Sequence, residues 1–396
     1  MEGVFKSLNP NDSEENDDIE LNDHLPYRIG NYLWIYGSPV LILVGTVGNI
    51  LSIIVLLRPR LRDTTTMFYL TCLSIGDLFT LYTGLLRYWI YRTFDIDVRN
   101  LSNASCKIHT FLVYLSLDFT VWVLVCVTVD RFLSVSMPFR AKRLCTMTRS
   151  RIVIAGILLL LSLKNMHFLW TLTLVETWEY RCDGDSSEDV HFLRFIWPWL
   201  DLAVFCLVPF SVMIVCNIKI IYEMVLSQKK LDAHRNYGSQ RAKQGASTSR
   251  TSLAEPSVFS MQSVTPQHAN VRIRTTSESK PNAATNARTG TKRVSSLTAM
   301  LLAVNTIFLL TTSPVQILLV GEEYWFSNRD DSNSQVAWYN FWWALVNMLQ
   351  YLNNAIHFFL YCLTGPKFRH ELFSIFNRKN KVAITKHLNE QTQTEI

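Results

Sequence analysis

Charged residues are scarce in this chain of 396 residues, and they are absent from long parts of it. Asp, Glu, Lys and Arg together make up 18% of the sequence, against roughly 25% in a typical soluble domain. Disorder needs few apolar residues and a high net charge, whereas this chain is 49% hydrophobic with a net charge of +6. The composition therefore excludes an intrinsically disordered chain, a collagen-like chain and a small disulfide scaffold.

Three further features are missing from the sequence. There is no internal repeat, which argues against solenoids and inverted-repeat transporters. There is no metal-spaced group of His and Cys and no nucleophile motif, so we do not expect an enzyme. Residues 1–31 lack the basic start and apolar core of a signal peptide, so we expect no cleavage there. A transporter or channel stays an alternative, but it needs polar residues aligned through several helices.

Seven long stretches of the chain hold one charged residue or none. A helix that crosses the hydrocarbon core of a bilayer needs about 20 consecutive apolar residues. Buried helices of a soluble protein explain one or two such stretches but not seven. The fold class we predict is therefore an all-α membrane protein, a seven-transmembrane helix bundle. The stretches are residues 32–57, 64–86, 108–129, 152–172, 195–218, 294–320 and 336–364.

Basic residues gather in every second loop between these stretches. By the positive-inside rule, this places the N-terminus outside the cell and the C-terminus in the cytoplasm, as in a multi-pass protein of the plasma membrane. The net charge of +6 then divides into −13 outside, +19 inside and zero within the spans. The basic residues thus reflect topology, and we expect no nucleic-acid partner. The charges counted with the spans are Asp77, Asp118, Lys164 and Asp201 inside them and Arg87 and Arg194 directly at their ends.

This topology divides the chain into six segments. The third cytoplasmic loop is rich in Ser, Thr, Gln and Asn, so we expect it to be disordered. Its 18 Ser or Thr fit phosphorylation by kinases and binding of arrestin, while an inert spacer explains the composition equally well. The segment after the last span is amphipathic and should lie on membrane lipids. The segments are an extracellular tail (1–31), spans 1–5 with their loops (32–226), the third cytoplasmic loop (227–293), spans 6–7 (294–364), an amphipathic surface helix (365–377) and a cytoplasmic tail (378–396).

Two cysteines and three glycosylation sequons fall on the predicted outer side. Of the eight cysteines, only Cys106 and Cys182 lie there, where the oxidising environment favours a disulfide between them. The other six should stay reduced. The sequons at Asn11, Asn100 and Asn103 predict glycosylation on the same side.

Short motifs in the seven stretches resemble those of rhodopsin-like (class A) G-protein-coupled receptors. Any one of them is weak, but their order on successive spans is specific, and Cys106 also lies 25 residues before Arg131. The resemblance implies a receptor that answers an extracellular ligand by engaging a heterotrimeric G protein. The motifs are Gly48-Asn49, Leu73 to Asp77, Asp130-Arg131-Phe132, Phe205 with Pro209, Pro314, and Leu360-Tyr361.

The resemblance also assigns roles in activation. Arg131, at the inner end of span three, is the residue expected to contact the G protein. A packing triad in the middle of the bundle is expected to rearrange, and the prolines of spans five and six are expected to kink their helices. The family's Trp toggle in span six is absent, because the signature reads Thr311 to Pro314. The residues assigned in this way are Val121, Asp130, Arg131, Pro209, Phe308, Pro314 and Tyr361.

A polar cluster is expected in the middle of the membrane. In this family an Asp of span two joins a sodium site, and the matching residue is Asp77. An unpaired carboxylate at this depth costs roughly 2.5–3.5 kcal/mol. His357 replaces an Asn of the family, which argues against sodium and leaves no expected cofactor. Either a protonated His357 supplies the counter-charge, or a neutral His357 belongs to a hydrated cluster. The members are Asn49, Asp77, Thr120, Asn353 and His357.

Matching positions also restrict the ligand. Tyr351 stands where opsins carry the Lys that binds retinal, which excludes light sensing. Val113 stands where amine receptors carry an Asp, so an amine ligand is disfavoured unless Asp118 or Asp201 serves instead. The residues expected to line the pocket are Arg87, Tyr88, Trp89, Val113, Tyr114, Asp201, Gln316, Trp343, Asn347 and Gln350.

The outer loops carry many acids, which predict a cationic ligand. Glu176 and Glu179 of the second outer loop are expected to contact it, although solvation of the outer face explains the same acids. Residues 77–87 and 358–365 are similar to invertebrate neuropeptide receptors of the FMRFamide-like group, which implies a basic, amidated peptide. A small molecule or an aromatic amino acid stays the alternative ligand.

Overall fold

The computed structural model describes residues 21, 23–176, 180–248, 302–321 and 333–375. The described residues contain seven long helices, which confirms the prediction of a seven-helix bundle. The bundle belongs to a compact unit of residues 1–220 and 296–396, while residues 221–295 form a second unit. The helices are α1 Leu25–Leu56, α2 Thr65–Phe94, α3 Asn103–Ser136, α4 Met147–Thr171, α5 Ser187–Lys230, α6 Leu302–Gly321 and α7 Asn333–Thr364.

Six of these helices, α1 to α6, are long and apolar enough to cross a membrane. The seventh, α7, has 32 residues, but polar side chains interrupt its apolar sequence. These side chains lie inside the bundle, where other helices rather than lipid surround them. The polar residues of α7 that are buried are Asn347, Gln350, Asn353, Asn354 and His357.

Large apolar side chains cover the outward face of the bundle. Leu43 of α1, Leu160 of α4 and Leu310 of α6 are each more than 60% exposed. An apolar exterior of this extent suits a hydrocarbon environment and is unfavourable in water. Together with the length of the helices, it shows a membrane-embedded protein.

Two predicted boundaries need correction. Helix α1 begins at Leu25, with a proline in its first turn, and therefore starts inside the predicted extracellular tail of residues 1–31. The helical run of α5 continues to Thr248, so residues 227–248 of the predicted disordered loop are helical. Lys, Gln, Ala and Arg are frequent there, and the intrinsic helix propensity of these residues is high and does not depend on packing. The rest of that loop and residues 376–396 lie outside the described residues.

A small hairpin joins α4 to α5 at one end of the bundle. Strands β1 (Leu172–Glu176) and β2 (Tyr180–Gly184) are antiparallel. The predicted disulfide is confirmed: Cys182 in β2 is bonded to Cys106 at the start of α3, with 5.4 Å between their Cα atoms. It holds the hairpin against α3. We name this the disulfide end of the bundle, and the opposite end, where α3 carries Arg131, the Arg131 end.

The predicted glycosylation sites lie near the same hairpin. The side-chain oxygen of Asn100 accepts a hydrogen bond from the backbone N–H of Cys182, at 3.0 Å. Asn103 is exposed, and Asn11 lies outside the described residues. Because a glycan is attached to the side-chain nitrogen, the contact of Asn100 does not prevent modification. Glycosylation of all three stays a prediction.

Candidate functional site

A cavity opens at the disulfide end of the bundle, beneath the hairpin. Residues of the six helices α2 to α7 form its walls, α4 through Phe168, and Cys182 of β2 contributes to its rim. The cavity thus touches most of the helices at once, so a molecule bound there can alter their packing. The predicted pocket residues that line it are Arg87, Tyr88, Val113, Tyr114, Asp201, Gln316, Trp343, Asn347 and Gln350.

The placement of Trp89 needs correction, since this residue does not line the cavity. Its indole nitrogen donates to the backbone carbonyl of Ile35 in α1, at 3.2 Å, and its ring packs edge-on against Phe94. Successive residues of a helix point in different directions, so Trp89 faces α1 although its neighbour Tyr88 faces the cavity. Glu179 and the side chain of Glu176 lie outside the described part of the chain.

Arg87 lies in the cavity wall and forms a bidentate ion pair with Asp97. The guanidinium atoms Nε and Nη2 are each 3.1 Å from a carboxylate oxygen of Asp97. Arg99 Nη2 lies 2.7 Å from the same carboxylate. Burial alone raises the pKa of Asp97, but the two guanidinium groups outweigh it and hold this pKa well below its usual range. Asp97 therefore fixes Arg87 in the wall and joins α2 to the following loop.

Lys164 of α4 contacts two carboxylates that line the cavity. Its ammonium nitrogen lies 2.9 Å from Asp118 Oδ2 and 2.7 Å from Asp201 Oδ1. Neutral amides complete the site: Asn165 donates to Asp118 at 2.8 Å, and Gln316 donates to Asp201 at 3.3 Å. The group connects α3, α4, α5 and α6 through side chains that are buried or nearly buried.

Near the rim, Asp183 lies between two arginines. Arg181 Nη2 is 2.8 Å and Arg194 Nη2 is 3.4 Å from its carboxylate. Burial raises the pKa of Asp183, but the backbone N–H of Gly184 and the two arginines lower it by more than burial raises it. The net shift of this pKa is therefore downward. The residues that line the cavity are thus less acidic overall than the many acids of the outer loops lead us to expect. Its charged lining residues are four arginines and three aspartates: Arg87, Arg99, Arg181, Arg194, Asp118, Asp183 and Asp201.

The predicted mid-membrane cluster is buried in the bundle between α1, α2, α3 and α7. His357 Nδ1 lies 2.7 Å from Asp77 Oδ2. Asn49 donates to the backbone carbonyl of Asn354 at 2.9 Å, which ties α1 to α7. Thr120 donates to the carbonyl of its own helix, and Asn353 lies buried on α7.

The sodium ion that the family resemblance implies can be compared with this site. Within the described residues, Asp77 Oδ1, Ser74 Oγ and Asn353 Oδ1 are buried without a hydrogen-bond partner, and such groups fit ordered water. A hard cation needs several oxygen ligands and a net negative site. His357 already engages the other oxygen of Asp77, so the imidazole stands where a cation would approach this carboxylate. These residues therefore do not fit a sodium ion.

At the Arg131 end, Asp130 organises the end of α3. Thr65 and Thr66 of α2 donate their hydroxyls to its two carboxylate oxygens, at 2.7 and 2.6 Å. Arg131 Nη2 lies 3.3 Å from the same carboxylate. The arginine is thereby held against α3, with a side-chain exposure of 19%.

The predicted packing triad lies in the core between the two ends. Val121 and Phe308 are buried in one apolar cluster that also contains Tyr361. Pro209 is buried on α5, two residues after the end of a π-helical turn over Leu202–Leu207. Such a turn absorbs the backbone distortion that a proline imposes. The next residue, Phe210, packs edge-on against Phe308 at 5.4 Å.

Comparison with known families decides what kind of protein this is. A family model described as "7 transmembrane receptor (rhodopsin family)" matches residues 48–361, most of the chain. The chain belongs to this receptor family. It is therefore a rhodopsin-family G-protein-coupled receptor and not an enzyme.

Several curated receptors are similar in sequence. The human thyrotropin-releasing hormone receptor is 23% identical over 351 residues, which cover 85% of this chain and 76% of that receptor. Human C-C chemokine receptor type 1 is 32% identical over 186 residues, 45% of this chain and 50% of that receptor. The pig growth hormone secretagogue receptor type 1 is 33% identical over 117 residues, 29% of this chain and 31% of that receptor. The chain thus matches half or less of the latter two relatives.

Sequence reasoning missed two polar networks of this receptor. The first is the Lys164 group, formed by Lys164, Asp118, Asp201, Asn165 and Gln316. Three apolar stretches each hold one of its charges, and a charge inside a membrane needs a partner. The second lies nearer the Arg131 end, where Asn305 of α6 donates to Thr128 Oγ1 at 2.9 Å and to Asn217 Oδ1 at 3.3 Å. Asn217 stands where the family has a Tyr. No spacing rule connects three polar residues on three helices.

Proposed function

We propose that this rhodopsin-family receptor lies in the plasma membrane with its disulfide end outside and detects an extracellular peptide. The observation that carries the proposal is the cavity beneath the hairpin, because walls from six helices let a ligand act on the packing of the bundle. The relatives support a peptide, since they are named for thyrotropin-releasing hormone, C-C chemokines and a growth hormone secretagogue.

The ligand we favour is a basic, amidated neuropeptide, as for the FMRFamide-like receptors that the sequence resembles. Asp118 and Asp201 provide carboxylates for a cationic side chain. Aromatic rings of Tyr88 and Trp343 suit an aromatic side chain, and the amide of Asn347 suits a terminal amide.

A second candidate ligand is a free aromatic amino acid or another small molecule with a carboxylate. The observation that favours it is the pair Arg181 and Arg194 at the rim, which outnumber Asp183 and leave one positive charge. Guanidinium groups bind carboxylates in a bidentate manner. Amidation removes the carboxylate of a peptide, so the two candidates differ in a group that can be tested directly.

Signalling in this proposal takes place at the Arg131 end, which faces the cytoplasm. Agonist binding separates the helices there, and a heterotrimeric G protein engages Arg131 after the contact with Asp130 is broken. The contact is a single one at 3.3 Å, and the hydroxyls of Thr65 and Thr66 still engage the carboxylate of Asp130 after it is broken. Kinases and arrestin are proposed to act on the third cytoplasmic loop, whose residues beyond Thr248 lie outside the described chain.

The test is a panel of short basic peptides in cells that express the receptor, with G-protein dissociation as the readout. Each amidated peptide is paired with its free-acid form and with a form in which citrulline replaces arginine. We expect responses to amidated, arginine-containing peptides, and their loss in Arg131→Ala but not in Arg140→Ala, an exposed arginine of the same end. A response to a free aromatic amino acid and to no peptide supports the second candidate. Silence to both overturns the proposal.

A further inference from the structure

The Lys164 group carries more negative than positive charge. Asp118 and Asp201 are 1% and 5% exposed, and both contact the single ammonium group of Lys164. Among the described residues, no second cation lies within 4 Å of either carboxylate. With both carboxylates ionised, the group has a net charge of −1.

A buried net charge is costly, and the neighbouring amides do not remove it. Asn165 and Gln316 donate hydrogen bonds, which lower the cost of burying a carboxylate but leave the charge unchanged. Ionisable side chains inside a membrane protein are rare and tend to mark binding sites or ion pathways. A structural ion pair between α3 and α4 requires only one carboxylate, so the second needs another explanation.

Unpaired acceptor atoms show where a partner fits. Within the described residues, Asp118 Oδ1 and Gln316 Oε1 are buried and accept no hydrogen bond. Asp118, Gln316 and Asp201 all line the cavity, whereas Lys164 is not among the residues that line it. The amide of Gln316 is oriented by its donation to Asp201, which leaves its oxygen as the free acceptor. This part of the cavity wall therefore presents oxygen acceptors beside a local group with a net charge of −1.

We propose that Asp118 and Asp201 form a cation site in the cavity, which takes one alkylammonium or guanidinium group of the ligand. Lys164 is the resident counter-ion of this site, and it limits the site to one further positive charge. This inference rests on the proposed function, in that it assigns the group of a basic ligand that the cavity recognises. It places this recognition on α3 and α5, deep in the cavity, with α4 supplying the charge that sets the capacity.

The site can be tested without knowing the ligand. The probes are n-propylammonium and n-propylguanidinium chloride, and the readout is the thermal unfolding temperature of the purified full-length receptor. Equimolar potassium chloride and n-propanol control for ionic strength and for apolar contact. We expect both probes to raise the unfolding temperature of the wild type in a saturable manner, and neither control to do so.

Charge variants then identify the site. Asp118→Asn removes the net charge of the group and should weaken probe binding by about tenfold or more. Lys164→Met instead doubles the net negative charge of the wild type and should strengthen probe binding by a similar factor. The double variant Lys164→Met/Asp201→Asn restores a charge of −1, so it should bind like the wild type even where Lys164→Met alone is too unstable to purify. Lys219→Met, which removes an exposed lysine of α5, is the matched control and should change nothing.

Each alternative result has a clear meaning. Binding that is equal in wild type and Asp118→Asn, or stabilisation by n-propanol as well, overturns the cation site. Failure of both probes to bind the wild type means that a proton neutralises the second carboxylate, which also overturns it. The peptide panel is a separate measurement. Probe binding without any peptide response refutes the proposed function alone, and a peptide response without probe binding refutes the cation site alone.

Discussion

His357 Nδ1 lies 2.7 Å from Asp77 Oδ2, and neither side chain has any exposed surface. The structure thus brings His357 and Asp77 into direct contact, as expected if His357 supplies the counter-charge in the mid-membrane cluster. The ring of Tyr361 lies nearly parallel to that of His357, at 9° and 6.2 Å. It closes the site from the side of the Arg131 end. The histidine therefore occupies the place beside Asp77 from which a cation would otherwise neutralise the carboxylate.

We predict from this contact that sodium does not stabilise the wild-type receptor, and that His357→Asn creates a sodium response. The asparagine restores the family's residue and removes the competing ring, so that Asp77 and the unpaired oxygens of Ser74 and Asn353 become available. The measurement is the thermal unfolding temperature of the purified receptor in sodium chloride, compared with choline chloride at equal ionic strength.

Asp77→Asn in the His357→Asn background serves as the control and should abolish the gained response. A sodium-specific stabilisation of the wild type that is unchanged in His357→Ala and lost in Asp77→Asn contradicts the His–Asp contact. It would show that the histidine stands aside when the ion binds.

The fold was predictable because a bilayer imposes it. Stretches of about 20 apolar residues have few alternatives to a spanning helix, and each predicted stretch overlaps one of the seven helices. The ends were less predictable, since aqueous segments obey no such rule. Residues 227–248 have the polar composition of a disordered loop and also the helix-forming residues that extend α5. Composition alone does not decide between these two outcomes.

The cavity was largely predictable from matching positions, but its electrostatics were not. Arg87 was expected to face a ligand, yet Asp97 engages its guanidinium group from ten positions along the chain. Lys164 carries an isolated charge that must find a partner, but three helices offer acids, and sequence does not tell which face of α4 is buried. Side-chain pairing across helices depends on rotation and register, which only the packed bundle fixes.

The second prediction concerns the polar network of Asn305. Its amide bridges Thr128 of α3 and Asn217 of α5 and so holds α6 against both helices. Asn305→Ala breaks two buried neutral hydrogen bonds, each contributing about 0.5–1.5 kcal/mol. We expect the shift towards open states to raise basal G-protein activation roughly two- to tenfold. Thr306→Ala, which removes only a hydroxyl bonded within its own helix, is the control. Unchanged basal nucleotide exchange in Asn305→Ala membranes rules out a restraining role.

The third prediction concerns acid stability and Asp97. The pKa of this carboxyl is held low by Arg87 and Arg99, so the folded state binds its proton less readily than the unfolded state. Its stabilisation is therefore complete above the unfolded pKa of about 3.9 and is lost as the pH falls below that value. Asp97→Asn should cost roughly 2 kcal/mol near neutral pH and flatten the acid limb of thermal unfolding. Asp95→Asn is the matched control, because Asn tolerates the left-handed backbone at that position. Parallel acid limbs in wild type and Asp97→Asn contradict the assignment.

The last prediction concerns residues 366–375, a short helix within the predicted amphipathic segment 365–377. Its Glu371 is nearly buried and contacts two arginines that follow α1, Arg58 Nε at 3.0 Å and Arg60 Nη1 at 3.2 Å. The two pairs have similar lengths but unequal surroundings, since Arg58 is 24% and Arg60 is 72% exposed. Water and salt screen the exposed pair almost completely, so only the Arg58 pair should hold the helix firmly.

Hydrogen exchange of the 366–375 backbone in the purified receptor measures this difference. Arg58→Gln should accelerate exchange roughly tenfold, because it leaves the Glu371 carboxylate nearly buried without its better partner, and Arg60→Gln should change it by less than about twofold. Glu371→Gln should match Arg58→Gln, since both remove the same ion pair. Equal acceleration by the two arginine variants would mean that exposure does not weaken the Arg60 pair. No acceleration by either would mean that Phe368, which is buried against Tyr361, holds the helix by packing alone.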